Sequence, residues 1–159
     1  MTHAHFIGNK GYTASFEVAY EPGQLKAVRL IRKKETASAT LTTAGVPASI
    51  RLTADRSSIK ADRNDLAYVK IEVLDKDGLL IPDSRLPLKI GFSGKGTVIA
   101  SGNGSADDME SFRSLKPKAF RGSAIAIVQP TGEEGTVRLT VSAEGLPEAS
   151  IEIDTYLNK

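Results

Sequence analysis

Apolar and polar side chains alternate from residue 67 to 74: Ala67, Val69, Ile71 and Val73 fall on one face, and Tyr68, Lys70 and Glu72 on the other. That period of two is what a half-buried antiparallel strand requires. The run stops at Asp75-Lys76-Asp77-Gly78, where the Asp-Gly pair supplies the positive φ of a tight reversal, and a short apolar piece closed by Pro82 follows. The pattern predicts a β-hairpin arm. Comparable runs occupy residues 14–20, 24–30, 36–42, 49–54, 79–81, 88–92, 97–100, 122–129, 136–143 and 150–155, each bounded by Gly, Pro, Asp or Asn, at the spacing of an all-β protein. No segment sustains a helical period. The nearest approach is 106–116, where Met109, Phe112 and Leu115 would share one face of a short helical turn inside a loop.

The pattern breaks at Thr43-Ala44-Gly45-Val46-Pro47. To its left lie about three strands, too few for a closed sandwich; to its right lie about eight, where an immunoglobulin-like sandwich needs about seven. We therefore expect residues 45–159 to form an immunoglobulin-like antiparallel β-sandwich and residues 11–44 to be the truncated C-terminal part of a preceding β-domain. Residues 1–10 fit neither pattern and read as a leader or tag-like segment. The expected core is Val69, Ile71, Val73, Leu88, Ile90, Phe92, Ile125 or its neighbours, Val137, Leu139, Val141, Ile151 and Ile153, on the alternation alone.

Composition narrows the function classes. A chain of 159 residues, 40% apolar, can bury one or two small cores but cannot hold a barrel enzyme with accessories. With no cysteine, a disulfide framework and a thiolate metal site are both excluded. No run approaches the roughly 18 apolar residues of a membrane span, and no charged segment followed by an apolar stretch opens the chain. The formal charge is only +2. Its one basic cluster, Arg29, Arg32, Lys33 and Lys34, reads as a solvated strand end and turn, so no nucleic-acid partner is expected.

The candidate chemistry is sparse. Asp75-Lys76-Asp77-Gly78 has its glycine in the fourth place, where a calcium loop needs it in the sixth, and lacks the closing glutamate, so it reads as a plain turn. His3 and His5 sit in the unpatterned start without supporting ligands and read as tail. Ser101-Gly102-Asn103-Gly104-Ser105 is glycine-rich but has no strand-to-helix context with a lysine, which makes it a flexible loop start. Asp107, Asp108 and Glu110, and again Glu133 and Glu134, are adjacent acids. They lie on loops, without the rigid support a catalytic pair needs, and read as solvated charge. With no Trp, a sugar-stacking platform is hard to build; Phe16, Tyr20, Tyr68 and Phe92 occupy positions expected for packing, leaving Tyr12, Phe112, Phe120 and Tyr156 as candidate exposed stackers. The roughly twenty residues from 102 to 121 exceed what a hairpin needs. In them Asp107, Asp108, Glu110, Phe112, Arg113 and Phe120 make up a candidate contact surface.

A series of motifs in fixed order carries a resemblance. Glu21-Pro-Gly-Gln-Leu-Lys-Ala-Val28, Leu41-Thr-Thr-Ala-Gly-Val-Pro47, Ile50-Arg-Leu-Thr-Ala-Asp-Arg56 and Ile59-Lys-Ala-Asp62 come first, followed by the 69–78 stretch and Gly102-Asn-Gly104. Glu110-Ser-Phe112 and Lys118-Ala-Phe-Arg-Gly122, leading into Ala126-Ile-Val-Gln129, complete it. Together, from about residue 11 to 153, they resemble the C-terminal immunoglobulin-like region of bacterial glycoside hydrolase family 2 enzymes of the β-galactosidase type. Arg29-Leu-Ile-Arg-Lys-Lys34 departs from the family's Gly/Asn-containing turn. The pattern Gly135-x-Val-x-Leu-x-Val-x-Ala143 also resembles the wider bacterial immunoglobulin-like group of adhesins.

The resemblance implies that the parent is a retaining exo-glycosidase whose two catalytic glutamates lie in a (β/α) barrel. No barrel motif is present, so no catalytic residue, cofactor or metal ligand is assigned to this sequence. Expected partners are the other domains of the parent chain, including the barrel, with a glycan as a candidate; a periplasmic or extracellular location is implied for the parent. A non-catalytic accessory domain is the first reading. The alternatives are a carbohydrate-binding module, against which the missing Trp counts, and an adhesin-type surface domain, which would show a second copy of the 47–156 pattern where none is visible.

Overall fold

The computed structural model describes residues 5–10 and 13–157, with no helix among them. His3 and Tyr12 lie outside the described residues. The chain divides into two compact units, 1–43 and 44–159.

The first unit contains two separate hairpins. β1 (His5–Lys10) pairs with β2 (Thr13–Glu17), so residues 5–10, expected as leader, run as a strand. β3 (Gln24–Ile31) pairs with β4 (Lys34–Thr42). The turn between them falls on Arg32 and Lys33, whose φ angles of 49° and 65° give the two left-handed residues of a tight two-residue loop. Both carry side chains where Asn-Gly is usual, at a cost of roughly 1–2 kcal/mol per residue. From residue 15 to 43 no side chain is buried. Phe16 (58% exposed) and Tyr20, expected in packed positions, are exposed, and among the described residues of this unit the two hairpins form no second layer over them.

The second unit has eight strands: β5 (Ser49–Ala54), β6 (Ser58–Lys60), β7 (Ala67–Leu74), β8 (Lys89–Gly94), β9 (Gly96–Gly102), β10 (Ser123–Pro130), β11 (Gly135–Ser142) and β12 (Ala149–Tyr156). They form two four-stranded sheets, ordered β5-β7-β10-β9 and β6-β12-β11-β8. This is the strand order of an immunoglobulin-type sandwich whose first strand is split between the sheets. The split introduces the one parallel pairing among these strands, β6 with β12. The expected piece at 79–81 is reduced to a single bridge between Leu74 and Leu80, and the helical turn expected in 106–116 is absent, replaced by turns.

Alternation places the core as expected at most positions. Val69, Ile71, Val73, Val137, Leu139, Val141 and Ile153 are fully buried, with Leu88 and Ile90 nearly so, and Ile151 packs against them. On β10 the neighbours Ala124 and Ala126 turn inward and Ile125 outward. Phe92 is 40% exposed, because β8 is an edge strand whose last residues run past the inner layer. Tyr68 lies on the outer face of β7, as its own alternation dictates.

The turn after β7 is fastened by a buried carboxylate. Asp75 accepts hydrogen bonds from the backbone N–H of Gly45 (2.8 Å), Asp77 (2.9 Å) and Leu79 (2.9 Å), while Gly78 (φ 78°) completes the reversal by donating to the Asp75 carbonyl. The Gly45 and Leu79 N–H groups hold the Asp75 carboxyl below the usual carboxylate range. A depressed folded pKa contributes stability that is fully present above the unfolded value, near 3.9, and lost as pH falls through the lower folded value. Asp75→Asn is therefore expected to lower the thermal midpoint at neutral pH and to flatten its decline as pH falls below about 4. Melting curves followed by circular dichroism across that range check it; an acid limb as steep as the parent's would show that Asp75 does not govern it.

Candidate functional site

The loop from β9 to β10 is organised by side chains that bond to backbone. Asn103 accepts from the Ser105 N–H (2.8 Å) and its amide donates to Asp108 Oδ2 (2.6 Å) and to the Lys118 carbonyl (2.8 Å), so one residue ties both limbs together. Asp108 Oδ1 accepts from the Glu110 N–H (3.1 Å). At the base, the Ser101 N–H donates to the Phe112 carbonyl (2.7 Å) and the Ser101 hydroxyl to the Ser114 carbonyl. The Phe112 ring lies against Gly102, where an added Cβ would stand 3.0 Å from it.

These bonds sort the candidate residues. Asp108 is half-buried and structural, not the solvated charge expected: the Glu110 N–H, then the Asn103 amide, hold its carboxyl below the ordinary range. Asp107, Glu110 and Arg113 are exposed, and Phe112 is 71% exposed. Phe120 stands on the other limb, half-buried, with the Arg85 and Arg121 guanidinium carbons 5.8 and 5.5 Å from its ring centre. Asp108, Glu110 and Phe112 share a recess with Ser101, Asn103 and Ser105, whereas Phe120 is not among its lining residues. Asn103 is not a residue that the glycine-rich composition of 101–105 singles out; its one signal is a lone Asn between glycines, a residue that bonds its own turn.

The recess holds about 40 Å³. That admits water, and is far below the roughly 300–1,000 Å³ of a small-molecule site. Among the described residues no cluster of His, Asp and Glu is arranged to hold a metal ion. Of the second acid pair, Glu133 is engaged with Lys95. What the loop offers is an exposed rim of Glu110, Phe112 and Arg113 on a braced frame.

Residues 50–152 match glycoside hydrolase family 2 C-terminal domain 5, which is more than half of the chain. The chain belongs to this family. Beta-galactosidase BoGH2A of Bacteroides ovatus is 39% identical over 139 residues, covering 87% of this chain but 16% of that protein. A beta-glucuronidase of Formosa agariphila is 27% identical over 146 residues, covering 90% of this chain and 15% of its own. The crystal structure of a glycosyl hydrolase family 2 member from Bacteroides cellulosilyticus superimposes with a TM-score of 0.85 at 32% identity, over 94% of this chain and 20% of that one. The chain thus spans about one-sixth to one-fifth of the length of these relatives.

Proposed function

We propose that this chain is a non-catalytic accessory region of a larger family 2 glycoside hydrolase, of the β-galactosidase kind, acting in carbohydrate degradation. The observation that carries the reading is the match of residues 50–152 to a C-terminal domain. A chain that covers 16% of its β-galactosidase relative leaves room there for a catalytic barrel and further domains. The carboxylates support it too. Hydrolysis with retention needs two carboxyl groups about 5–5.5 Å apart on a rigid frame, whereas here Asp108 is consumed in bracing its loop, Glu133 is engaged with Lys95, and Asp107 and Glu110 are exposed.

Within this reading residues 11–44 are the end of a preceding β-domain. Leu25, Ala27, Ala37, Ala39 and Leu41 share one face of the β3–β4 hairpin by register, and all are exposed, as expected of a sheet whose covering layer lies elsewhere. Residues 45–159 are the immunoglobulin-like domain. The rim of Glu110, Phe112 and Arg113, with Asp107 beside it and Phe120 on the far limb, is its contact surface toward a neighbouring domain or a glycan.

The test is hydrolysis. The purified 159-residue chain is expected to leave nitrophenyl β-galactoside and nitrophenyl β-glucuronide intact at every concentration assayed. Turnover that survives repurification and disappears on replacing Asp107, Asp108 or Glu110 would overturn the accessory reading.

A further inference from the structure

Outside the named strands, residues 84–90 run antiparallel to 115–122. The Gly122 N–H donates to the Ser84 carbonyl (3.1 Å), Ala119 to Leu86 (2.9 Å), Leu88 to Pro117 (2.8 Å) and Ile90 to Leu115 (2.8 Å), with Pro87 bridged to Lys118. The two segments therefore make a ribbon, and its residues alternate. Ser84, Leu88, Ile90, Pro117, Ala119 and Gly122 are buried, while Arg85, Lys89, Lys116, Lys118 and Arg121 are exposed. From 84 to 90 and from 111 to 122 the sequence has no acidic residue. Asp83 stands just before the ribbon, and Asp108 lies near enough for Lys118 to help keep it ionised.

Elsewhere among the described residues of the sandwich most cations are matched by acids, Arg51 and Lys70 with Glu72, Arg56 with Asp55 and Asp65, Lys76 with Asp77, Lys95 with Glu133, and Arg138 with Glu152, while Lys60, Arg63 and Arg113 are not. Among the described residues, none of the five ribbon cations has an ion-pair partner. In a chain of net charge +2, that is a marked asymmetry. Arg85 and Arg121 are held instead on the Phe120 ring, which steadies two guanidinium groups while leaving their N–H forks open to solvent and without a protein acceptor among the described residues.

We propose that this ribbon binds a linear acidic polysaccharide through its carboxylates, with Arg85 and Arg121 as the principal contacts and Lys89, Lys116 and Lys118 as the flanking charges. Alternate residues of an extended chain stand roughly 6.5 Å apart, so the cations of the two paired segments form a shallow row about 16 Å long. A row of that length, with no enclosing pocket, fits a polymer carrying repeated charges and not a single small anion. Arginine accepts carboxylates in a bidentate fork. A nucleic acid fits less well, because single strands stack bases on open aromatic faces, and Phe120 is half-buried and attended by both guanidinium groups. That the polyanion is a glycan rests on the glycosidase reading above.

The experiment is binding of the 159-residue chain to polygalacturonate, with neutral galactan and single-stranded DNA as the other arms. Expected are binding to polygalacturonate that weakens steeply as salt rises, none to galactan, and a loss of roughly tenfold or more in Arg85→Gln/Arg121→Gln at unchanged melting temperature. If that pair fails to fold, Lys89→Gln/Lys116→Gln carries the test, with a smaller loss. No binding at low salt, equal binding to galactan, tighter binding to DNA, or an affinity indifferent to all four substitutions overturns the proposal. None of these touches the accessory reading, which stands or falls on hydrolysis.

Discussion

Replacing Leu139 with Ala is expected to lower the unfolding free energy by about 2–5 kcal/mol, and Ile71→Ala by a similar amount. Leu139 is fully buried on β11, opposite Ile151 of β12 and Phe92 of β8; Ile71 is fully buried on β7, opposite Leu52 of β5 and Ala124 of β10. One side chain from each sheet meets in the same apolar cluster. Truncating either removes the transfer energy of the lost atoms and leaves a cavity, since strands bonded on both sides cannot close in. Against a total of about 5–15 kcal/mol for a domain, that is a large share. Ile125→Ala, on the outer face of β10, is expected to cost only about 0.5 kcal/mol. Urea denaturation checks all three: equal midpoint shifts for Leu139→Ala and Ile125→Ala would mean that the inner face has been misassigned.

The sandwich was largely legible because period-two alternation is a local signal that burial of one face reinforces. The seven strands from β5 and β7 to β12 each carry several apolar residues in phase. β6 escaped, since a three-residue strand with Ile59 between Ser58 and Lys60 offers one apolar position; the structure buries Ile59 completely. β1 escaped for a different reason, a sequence of mixed polarity without alternation. Phe92 is in phase with Ile90, so alternation alone puts it in the core, and only its place toward the end of an edge strand exposes it; Tyr68 faces outward by its own parity, which outweighs its aromatic character.

The long loop was the least legible part. Its acids looked alike in the sequence, and only long-range partners separate them: Asp108 is bound by Asn103 and the Glu110 N–H, while Asp107 stays exposed. Loop side-chain bonds have no period to betray them. The basic ribbon was equally invisible. Arg85 and Arg121 are thirty-six residues apart and reach the same ring only because residues 84–90 pair with 115–122.

The corner between the sheets supplies the second large effect. The chain leaves β8 in one sheet and enters β9 in the other within Gly94-Lys95-Gly96, and it does so with Gly94 at φ 90°, where L side chains are rarely found. A Cβ on Gly94 would stand 2.1 Å from the Thr136 carbonyl oxygen, a backbone atom of β11 that also accepts the Lys95 N–H at 3.0 Å. Neither the angle nor the oxygen can yield without opening the β8–β11 pairing. Gly94→Ala is therefore expected to cost more than about 3 kcal/mol, beyond the roughly 1–3 kcal/mol of backbone strain alone. Gly78→Ala separates the two contributions: φ is 78° there, but nothing lies within 4 Å of an added Cβ, so only the conformational part remains, about 1 kcal/mol. Urea midpoints of the two variants settle the point. A Gly94→Ala protein no less stable than Gly78→Ala would mean that the corner relaxes freely and that contact with the Thr136 carbonyl does not constrain it.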